Sequence, residues 1–121
     1  MKLSLLVLKT PRMEELKEFY SSLGTSFQRE QHGKGPLHYS AVLGGDLVLE
    51  IYPCSEGVGA DSSLRLGLSV QDIQEALQLV GQGSVIPRQT QWGMRAVVKD
   101  PDGRAVELVQ SRKAEEVLAQ V

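Results

Sequence analysis

Two glutamates stand in matching positions of the sequence and are its clearest candidates for chemistry. Glu107 follows the turn Asp100-Pro-Asp-Gly103 and points away from the branched apolar side chains of its strand. Glu50 stands in the same relation to the turn at Gly44-Gly45, within the apolar run Leu47-Val-Leu-Glu-Ile-Tyr52. Two carboxylates held in this way can act as general bases or as ligands of a metal ion. Both are predicted as candidate catalytic residues.

The elements that must position these glutamates repeat along the chain. Apolar periodicity predicts a strand at 3–9, a helix from Pro11 to Gly24, a short strand at 26–29, and a hairpin of strands at 37–43 and 47–52. A second copy follows, with a strand at 64–70, a helix at 71–80, short strands at 84–87 and 94–99, and a last strand after the Asp100 turn. The fold class is therefore α+β, with two βαβββ modules in one domain. The predicted boundaries are module one at 1–53, a linker at 54–63, module two at 64–111 and a helical tail at 112–121.

Composition narrows the classes of function. The 121 residues include 13 basic and 15 acidic side chains, a formal charge of −2, with no basic stripe for nucleic acid. An apolar run of roughly 18 residues, as a transmembrane helix requires, is missing from the sequence. Cys54 is the single cysteine, which excludes an internal disulfide and fits a reducing compartment. We therefore expect a cytoplasmic protein with neither a nucleic-acid nor a membrane partner.

Four segments in this order and spacing carry a family resemblance: Phe19-Tyr20-Ser-Ser-Leu23-Gly24, Leu47 to Tyr52, Trp92-Gly93, and Asp100-Pro-Asp-Gly103 followed by Glu107-Leu108. Together they resemble the vicinal oxygen chelate superfamily of glyoxalase I, bleomycin-resistance proteins, fosfomycin-resistance proteins and extradiol dioxygenases. The resemblance implies that the modules form an open mixed β-sheet that encloses a cavity, with the helices outside. It also implies a homodimer whose cavity can combine module one of one subunit with module two of the other.

In metal-dependent members of this superfamily, four inward positions hold a divalent cation, and here they correspond to Leu5, Glu50, Arg65 and Glu107. Leucine has no lone pair to donate, and a guanidinium is a permanent cation that cannot coordinate a metal. No cofactor is therefore expected, although a divalent metal with rearranged ligands stays an alternative. We hypothesise that Arg65 lies between Glu50 and Glu107 in place of the metal, either as a structural charge cluster or as an anchor for an anionic ligand.

Other side chains are candidates for the cavity wall. Tyr52 shares the face of Glu50, and Trp92 either covers the cavity mouth or packs at a subunit contact. His38 and Arg95 reach the cavity only in one of two strand registers. His38 is interpreted as a partly exposed structural histidine, or else as an acid–base group or a metal ligand, and His32 as a solvated loop residue.

Three hypotheses of function follow. The first is a metal-independent protein that binds a small molecule in the sheet cavity, similar to the bleomycin-resistance branch. The second is a lyase, isomerase or dioxygenase-like enzyme of the same superfamily that uses Glu50 or Glu107, with or without a divalent metal. The third is a non-catalytic interaction module. The replacement of two ligands by Leu5 and Arg65 favours the first and the third.

Overall fold

The computed structural model describes residues 1–55 and 58–111, so the predicted tail at 112–121 lies outside the described residues. Module one comprises β1 (Leu5–Thr10), α1 (Met13–Ser22), β2 (Gln28–Glu30), β3 (His38–Leu43) and β4 (Leu47–Pro53). Module two comprises β5 (Leu66–Val70), α2 (Ile73–Leu79), β6 (Arg88–Thr90), β7 (Gly93–Lys99) and β8 (Ala105–Gln110).

Each module forms its own four-stranded mixed sheet. The strand orders are β1-β4-β3-β2 and β5-β8-β7-β6, and in each sheet the first and last strands of the module pair in parallel. The remaining pairs are antiparallel. The predicted α+β class and the two βαβββ modules are confirmed. Among the described residues, no helix is long and apolar enough to span a membrane.

Several element boundaries differ from the predictions by a few residues, and for two of them the hydrogen bonds show the reason. Helix α1 begins at Met13 instead of Pro11, because its first helical bond runs from the Leu16 amide to the Arg12 carbonyl. The strand predicted at 84–87 is wrong, and β6 begins at Arg88. The Gln82 side chain donates to the Lys99 carbonyl and accepts from the Lys99 amide, so this segment is held in a turn before pairing with β7 can start.

One hydrophobic core joins both modules. It lies where the alternate apolar residues of the strands meet the buried faces of α1 and α2. Its members come from both halves of the chain: Leu8, Leu16, Phe19, Tyr20, Leu49, Ile51, Ile73, Ala76, Leu77, Ala96, Val98, Val106 and Leu108. The predicted core position of Phe19 and Tyr20 is confirmed. Because one face of each sheet is committed to this core, the opposite faces are left for a site.

A buried ionic cluster fastens module two to β1. The Arg104 side chain is 1% exposed and donates from Nη1 to Asp100 at 3.2 Å and to Asp102 at 2.8 Å. Its Nη2 donates to the carbonyl of Lys9 and its Nε to the carbonyl of Asp61, both at 2.9 Å. The two carboxylates of the Asp100 turn therefore serve the junction between the modules.

Residues of module one complete the same cluster. The Tyr20 hydroxyl donates to Asp100 at 2.8 Å, and Thr10 donates to Asp102 at 3.0 Å. Burial, together with the negative charge of Asp100, raises the pKa of the Tyr20 phenol well above its ordinary value. Burial alone would lower the pKa of Arg104, but the hydrogen bonds and charges of Asp102 and Asp100 outweigh burial and raise it. Arg104 thus stays charged inside the protein.

Candidate functional site

The two candidate glutamates occupy equivalent places in the two sheets. Glu50 on β4 lies beside Val7 of β1 and Ser40 of β3. Glu107 on β8 lies beside Gly67 of β5 and Val97 of β7. We call the face that carries each glutamate the open face of its module, because the core lies on the other face. Both carboxylates are mostly buried, with side chains 16% and 18% exposed.

On the open face of module two, Glu107 is held between two guanidinium groups. Arg65 Nη2 lies 3.3 Å from Glu107 Oε2, and the Arg95 guanidinium contacts Glu107 Oε1. Arg95 also lies over the ring of Trp92, 5.5 Å from its centroid, and Trp92 is largely exposed. The strand register thus places the side chain of Arg95 beside Glu107, which sequence alone left open.

Two adjoining hollows open beside this group, and both are lined by Arg95 and Glu107. One, of about 350 Å³, is also lined by Arg65, Val85, Ile86, Arg88, Thr90, Ala96 and Val97. The other, of about 300 Å³, is also lined by Gly67, Leu68, Ser69, Trp92 and Val109. We call the pair the arginine hollow. Its charged lining is three arginines against one glutamate, a local excess of positive charge in a chain whose formal charge is −2.

Hollows elsewhere that are larger than either part of the arginine hollow offer less chemistry, as two of them show. One, of about 470 Å³ at the contact of the two modules, is lined mostly by apolar side chains and backbone, with Asp46 as its charged residue. The other, of about 520 Å³, lies along β2 and β3 and has Glu30 as its charged residue. Each part of the arginine hollow is smaller, but the pair brings several charged groups and an aromatic ring together.

On the open face of module one, a buried imidazole takes the central place. His38 is 1% exposed, so the predicted partial exposure is wrong. Its Nδ1 lies 3.2 Å from the carbonyl oxygen of Pro36. Its Nε2 lies 3.3 Å from the Tyr52 hydroxyl, 3.4 Å from Glu30 Oε2 and 3.5 Å from Glu50 Oε2. The Tyr52 ring stacks on the imidazole, with centroids 4.1 Å apart and planes 10° apart.

Two residues of this second group were not predicted as site residues. Glu30, at the end of β2, pairs in register with His38 on β3. His32, exposed in the following loop, places Nε2 3.5 Å from Glu30 Oε2. The signal for Glu30 was its position one residue beyond the predicted strand, but its place beside His38 depends on the pairing of β2 with β3.

The structure therefore separates the predicted residues into two groups. Tyr52 and His38 accompany Glu50, whereas Arg65, Arg95 and Trp92 accompany Glu107. Arg65 contacts Glu107 but makes no ion pair with Glu50 within residues 1–55 and 58–111, so the bridge that we hypothesised is not formed within one chain. Leu5 lies on the exposed side of β1, half accessible to solvent.

The four positions at which the resemblance places metal ligands do not suit a metal here. Leu5 offers no donor atom, and Arg65 is a permanent cation directed at Glu107. The Glu107 carboxylate is in addition already in contact with a second guanidinium, that of Arg95. A divalent ion among these groups would be repelled by two positive charges, so the chemistry of these four residues does not fit a divalent ion.

Comparison with known proteins places the fold in context. The chain resembles TnmS3, an antibiotic binding protein from Streptomyces sp. CB03234, at 24% identity and a TM-score of 0.70 over 93% of this chain and 97% of that chain. A glyoxalase/bleomycin resistance protein from the same strain is 25% identical, with a TM-score of 0.66 over 90% and 100% of the two chains.

The fosfomycin resistance protein FosX from Mesorhizobium loti is 18% identical, with a TM-score of 0.63 over 98% of this chain and 97% of that chain. No curated protein matches the sequence. The family model of the glyoxalase/bleomycin resistance protein/dioxygenase superfamily matches residues 2–108. The chain therefore belongs to the glyoxalase/bleomycin resistance protein/dioxygenase superfamily.

Proposed function

We propose that the protein binds a small organic anion in the arginine hollow, without a metal at the four positions of the superfamily. The observation that carries this proposal is the lining of three arginines against one glutamate in an otherwise acidic chain. A cleft lined mainly by one sign of charge attracts ligands of the opposite sign. The same groups repel a free divalent cation.

The arrangement of the arginines leaves donors for a ligand. Arg65 is 60% exposed, and its contact with Glu107 involves a single nitrogen of a group that has five N–H donors. Arg88 is exposed on β6, the edge strand opposite β5, and lines the same hollow as Arg65. Planar guanidiniums that line one hollow are suited to bidentate hydrogen bonds with a carboxylate or phosphate.

Trp92 adds a preference for a flat ligand. Its largely exposed indole lines the hollow that contains Gly67, where the missing side chain leaves open space. An aromatic or conjugated ring can stack on the indole while its acidic group contacts the arginines. TnmS3, whose fold this chain shares, is an antibiotic binding protein, which supports binding as the class of function.

A homodimer forms part of this proposal. The open face of module one carries Glu30 and Glu50, whereas that of module two carries the arginines. Leu5 and Val7 are exposed apolar residues on the first of these faces. Module one of one protomer opposite module two of its partner would join complementary charges and bury these side chains. Light scattering should give twice the chain mass. Even a weak dimer with a micromolar dissociation constant is formed at a protein concentration of about 10⁻⁴ M, so a monomer at that concentration would contradict the dimer.

The binding proposal is tested by a screen of paired compounds. Aromatic carboxylates and their uncharged amides are added to EDTA-treated protein, and amide chemical shifts are followed by NMR. We expect carboxylates to shift signals from β6 and β8, and Arg65→Gln and Arg88→Gln each to weaken their binding. Arg29→Gln is the matched control, because Arg29 is an exposed arginine on β2 that does not line the hollow. Equal binding of acids and amides would contradict the proposal.

A proton-transfer enzyme is the second candidate, favoured by the group around His38. Glu50 Oε2 lies 3.5 Å from an imidazole nitrogen that also faces the Tyr52 hydroxyl, so an acid, a base and a proton relay are adjacent. Any compound found in the screen is incubated in D2O with the protein. Deuterium incorporation that Glu50→Gln abolishes would support an enzyme, and its absence would leave simple binding. Cytoplasmic location and the lack of a nucleic-acid partner stay predictions.

A further inference from the structure

We infer that Glu30, His32 and His38 form a binding site for a late first-row divalent metal ion such as Zn²⁺ or Ni²⁺. One donor atom from each of these residues lies within 4.8 Å of the other two. The site lies at the β2–β3 end of module one and shares no residue with Leu5, Glu50, Arg65 and Glu107, the four positions of the superfamily. Within one chain it also shares no residue with the arginine hollow, which belongs to module two.

Two of the three spacings between the donor atoms suit a metal ion, and the third is within 4.8 Å. His38 Nε2 lies 3.4 Å and His32 Nε2 3.5 Å from the same oxygen, Glu30 Oε2. In a tetrahedral site with bonds of about 2.0–2.1 Å, neighbouring donor atoms are about 3.3–3.4 Å apart. An ion between these atoms would therefore require little movement of the strands that carry Glu30 and His38.

The hydrogen bonds of His38 prepare Nε2 as a ligand. The Pro36 carbonyl can only accept, so the Nδ1 atom 3.2 Å away carries the proton of the neutral imidazole. The lone pair of Nε2 is then directed at the carboxylates of Glu30 and Glu50. A backbone carbonyl on the far nitrogen is the usual arrangement for metal-binding histidines, because it fixes the tautomer and the ring.

Among the described residues of one chain, the carboxylates of this group, Glu30 and Glu50, pair with histidines and with no lysine or arginine. With His38 neutral, two carboxylates and an imidazole lone pair face one another on a partly buried surface. A bound cation relieves this repulsion.

The donor types select the class of metal. Imidazole nitrogen suits Zn²⁺, Ni²⁺ and Cu²⁺, whereas Mg²⁺ and Ca²⁺ prefer sites made only of oxygen. Hydrogen bonds also fix the loop that carries His32. The Gly35 amide donates to the His32 carbonyl at 2.9 Å, and the Gln31 side chain donates to the Gly35 carbonyl at 2.9 Å. Water fills the remaining coordination positions of such a three-ligand site.

The test is calorimetric titration of EDTA-treated full-length protein with Zn²⁺ and, separately, Ni²⁺. We expect one ion per chain and a loss of affinity of at least about 10-fold in both His32→Gln and Glu30→Gln. His32 is exposed, so its variant should fold even where a change at buried His38 does not. Glu18→Gln, which removes an exposed carboxylate from α1, is the matched control and should bind as the wild type does.

A Co²⁺ absorption spectrum gives a second readout, because a tetrahedral site of nitrogen and oxygen ligands produces visible bands that should vanish in His32→Gln. Sub-stoichiometric binding, or binding that survives the double change of Glu30 and His32, would overturn the inference. A metal lost in Glu107→Gln but retained in His32→Gln would also overturn it and would place the ion at the superfamily position. Failure of the metal-site inference would not affect the proposal of anion binding in the arginine hollow, because that binding is measured with EDTA-treated protein.

Discussion

Replacing Arg104 with methionine should destabilise the protein more than any change to its exposed charges. Methionine has a similar length but no donors, so Arg104→Met removes the hydrogen bonds to Asp100, Asp102 and the carbonyls of Lys9 and Asp61. Removing one partner of a buried ionic network typically costs about 3–5 kcal/mol, because the other charges remain buried.

Part of this network survives the change, which sets the expected magnitude at the lower end of that range. Asp100 keeps its bonds from the Tyr20 hydroxyl and the Asp102 amide, and Asp102 keeps those from Thr10 and Arg12. We therefore expect a loss of about 3 kcal/mol in the free energy of unfolding. For a domain of this size that corresponds to a fall in Tm of roughly 10–15 °C.

Urea unfolding followed by circular dichroism measures this loss directly. Arg12→Met is the matched control, since Arg12 contacts the same carboxylate of Asp102 but has a side chain 44% exposed. An ion pair with an exposed partner contributes about 1 kcal/mol or less. Equal losses in the two variants, or a loss below 1 kcal/mol in Arg104→Met, would refute the view that this cluster holds the modules together. Arg104→Lys should lie between them if the methionine variant does not fold.

Two further predictions concern particular backbone and side-chain positions. Tyr20→Phe should make the free energy of unfolding fall less steeply at alkaline pH. Because the pKa of the Tyr20 phenol is raised in the folded state, its contribution to stability is complete below about pH 10, the unfolded pKa, and is lost as pH rises from there through the folded pKa. The free energies of unfolding in urea at pH 9 and pH 11 should therefore differ less in the variant than in the wild type. An unchanged difference would contradict the role of burial and Asp100. Gly93→Ala should cost roughly 3 kcal/mol in urea unfolding, because Gly93 has a φ of +123° and a Cβ there would lie 2.2 Å from the Gln110 carbonyl oxygen. Gly44→Ala, at a φ of +57° in open space, should cost only about 1 kcal/mol in the same experiment. Similar costs at the two glycines would show that close approach to β8 is not what requires Gly93.

Sequence patterns predicted the two modules but not the register in which their strands pair. The repeat spacing predicted equivalent positions for Glu50 and Glu107. The structure agrees, because each glutamate lies on the last strand of its module and pairs in parallel with the first strand. The spacing could not decide whether the side chain of His38 faces the cavity, because the register of a strand depends on its partner. The pairing of Ser40 with Glu50 settles that point.

Contacts between residues far apart in the sequence could not be predicted from it either. The turn at Asp100 was recognised as local turn chemistry, but the bond of Arg104 to the Lys9 carbonyl joins residues 95 positions apart and has no sequence signal. Glu30 and His38 similarly meet only because β2 and β3 pair across a glycine-rich loop. Local propensity cannot specify such contacts, since they depend on how the modules pack.

Binding of an organic anion in the arginine hollow without a metal is tested most directly by the dissociation constants of one acid and its amide. An aromatic carboxylate and its amide are titrated calorimetrically into EDTA-treated wild type and into the double variant Arg65→Gln/Arg88→Gln. Two exposed arginines that each contribute about 1 kcal/mol predict that the acid binds the wild type roughly 30-fold more tightly than the variant, while the amide does not distinguish them. Acid binding that is unchanged in the variant, or that appears only when a divalent metal is added, would contradict the claim.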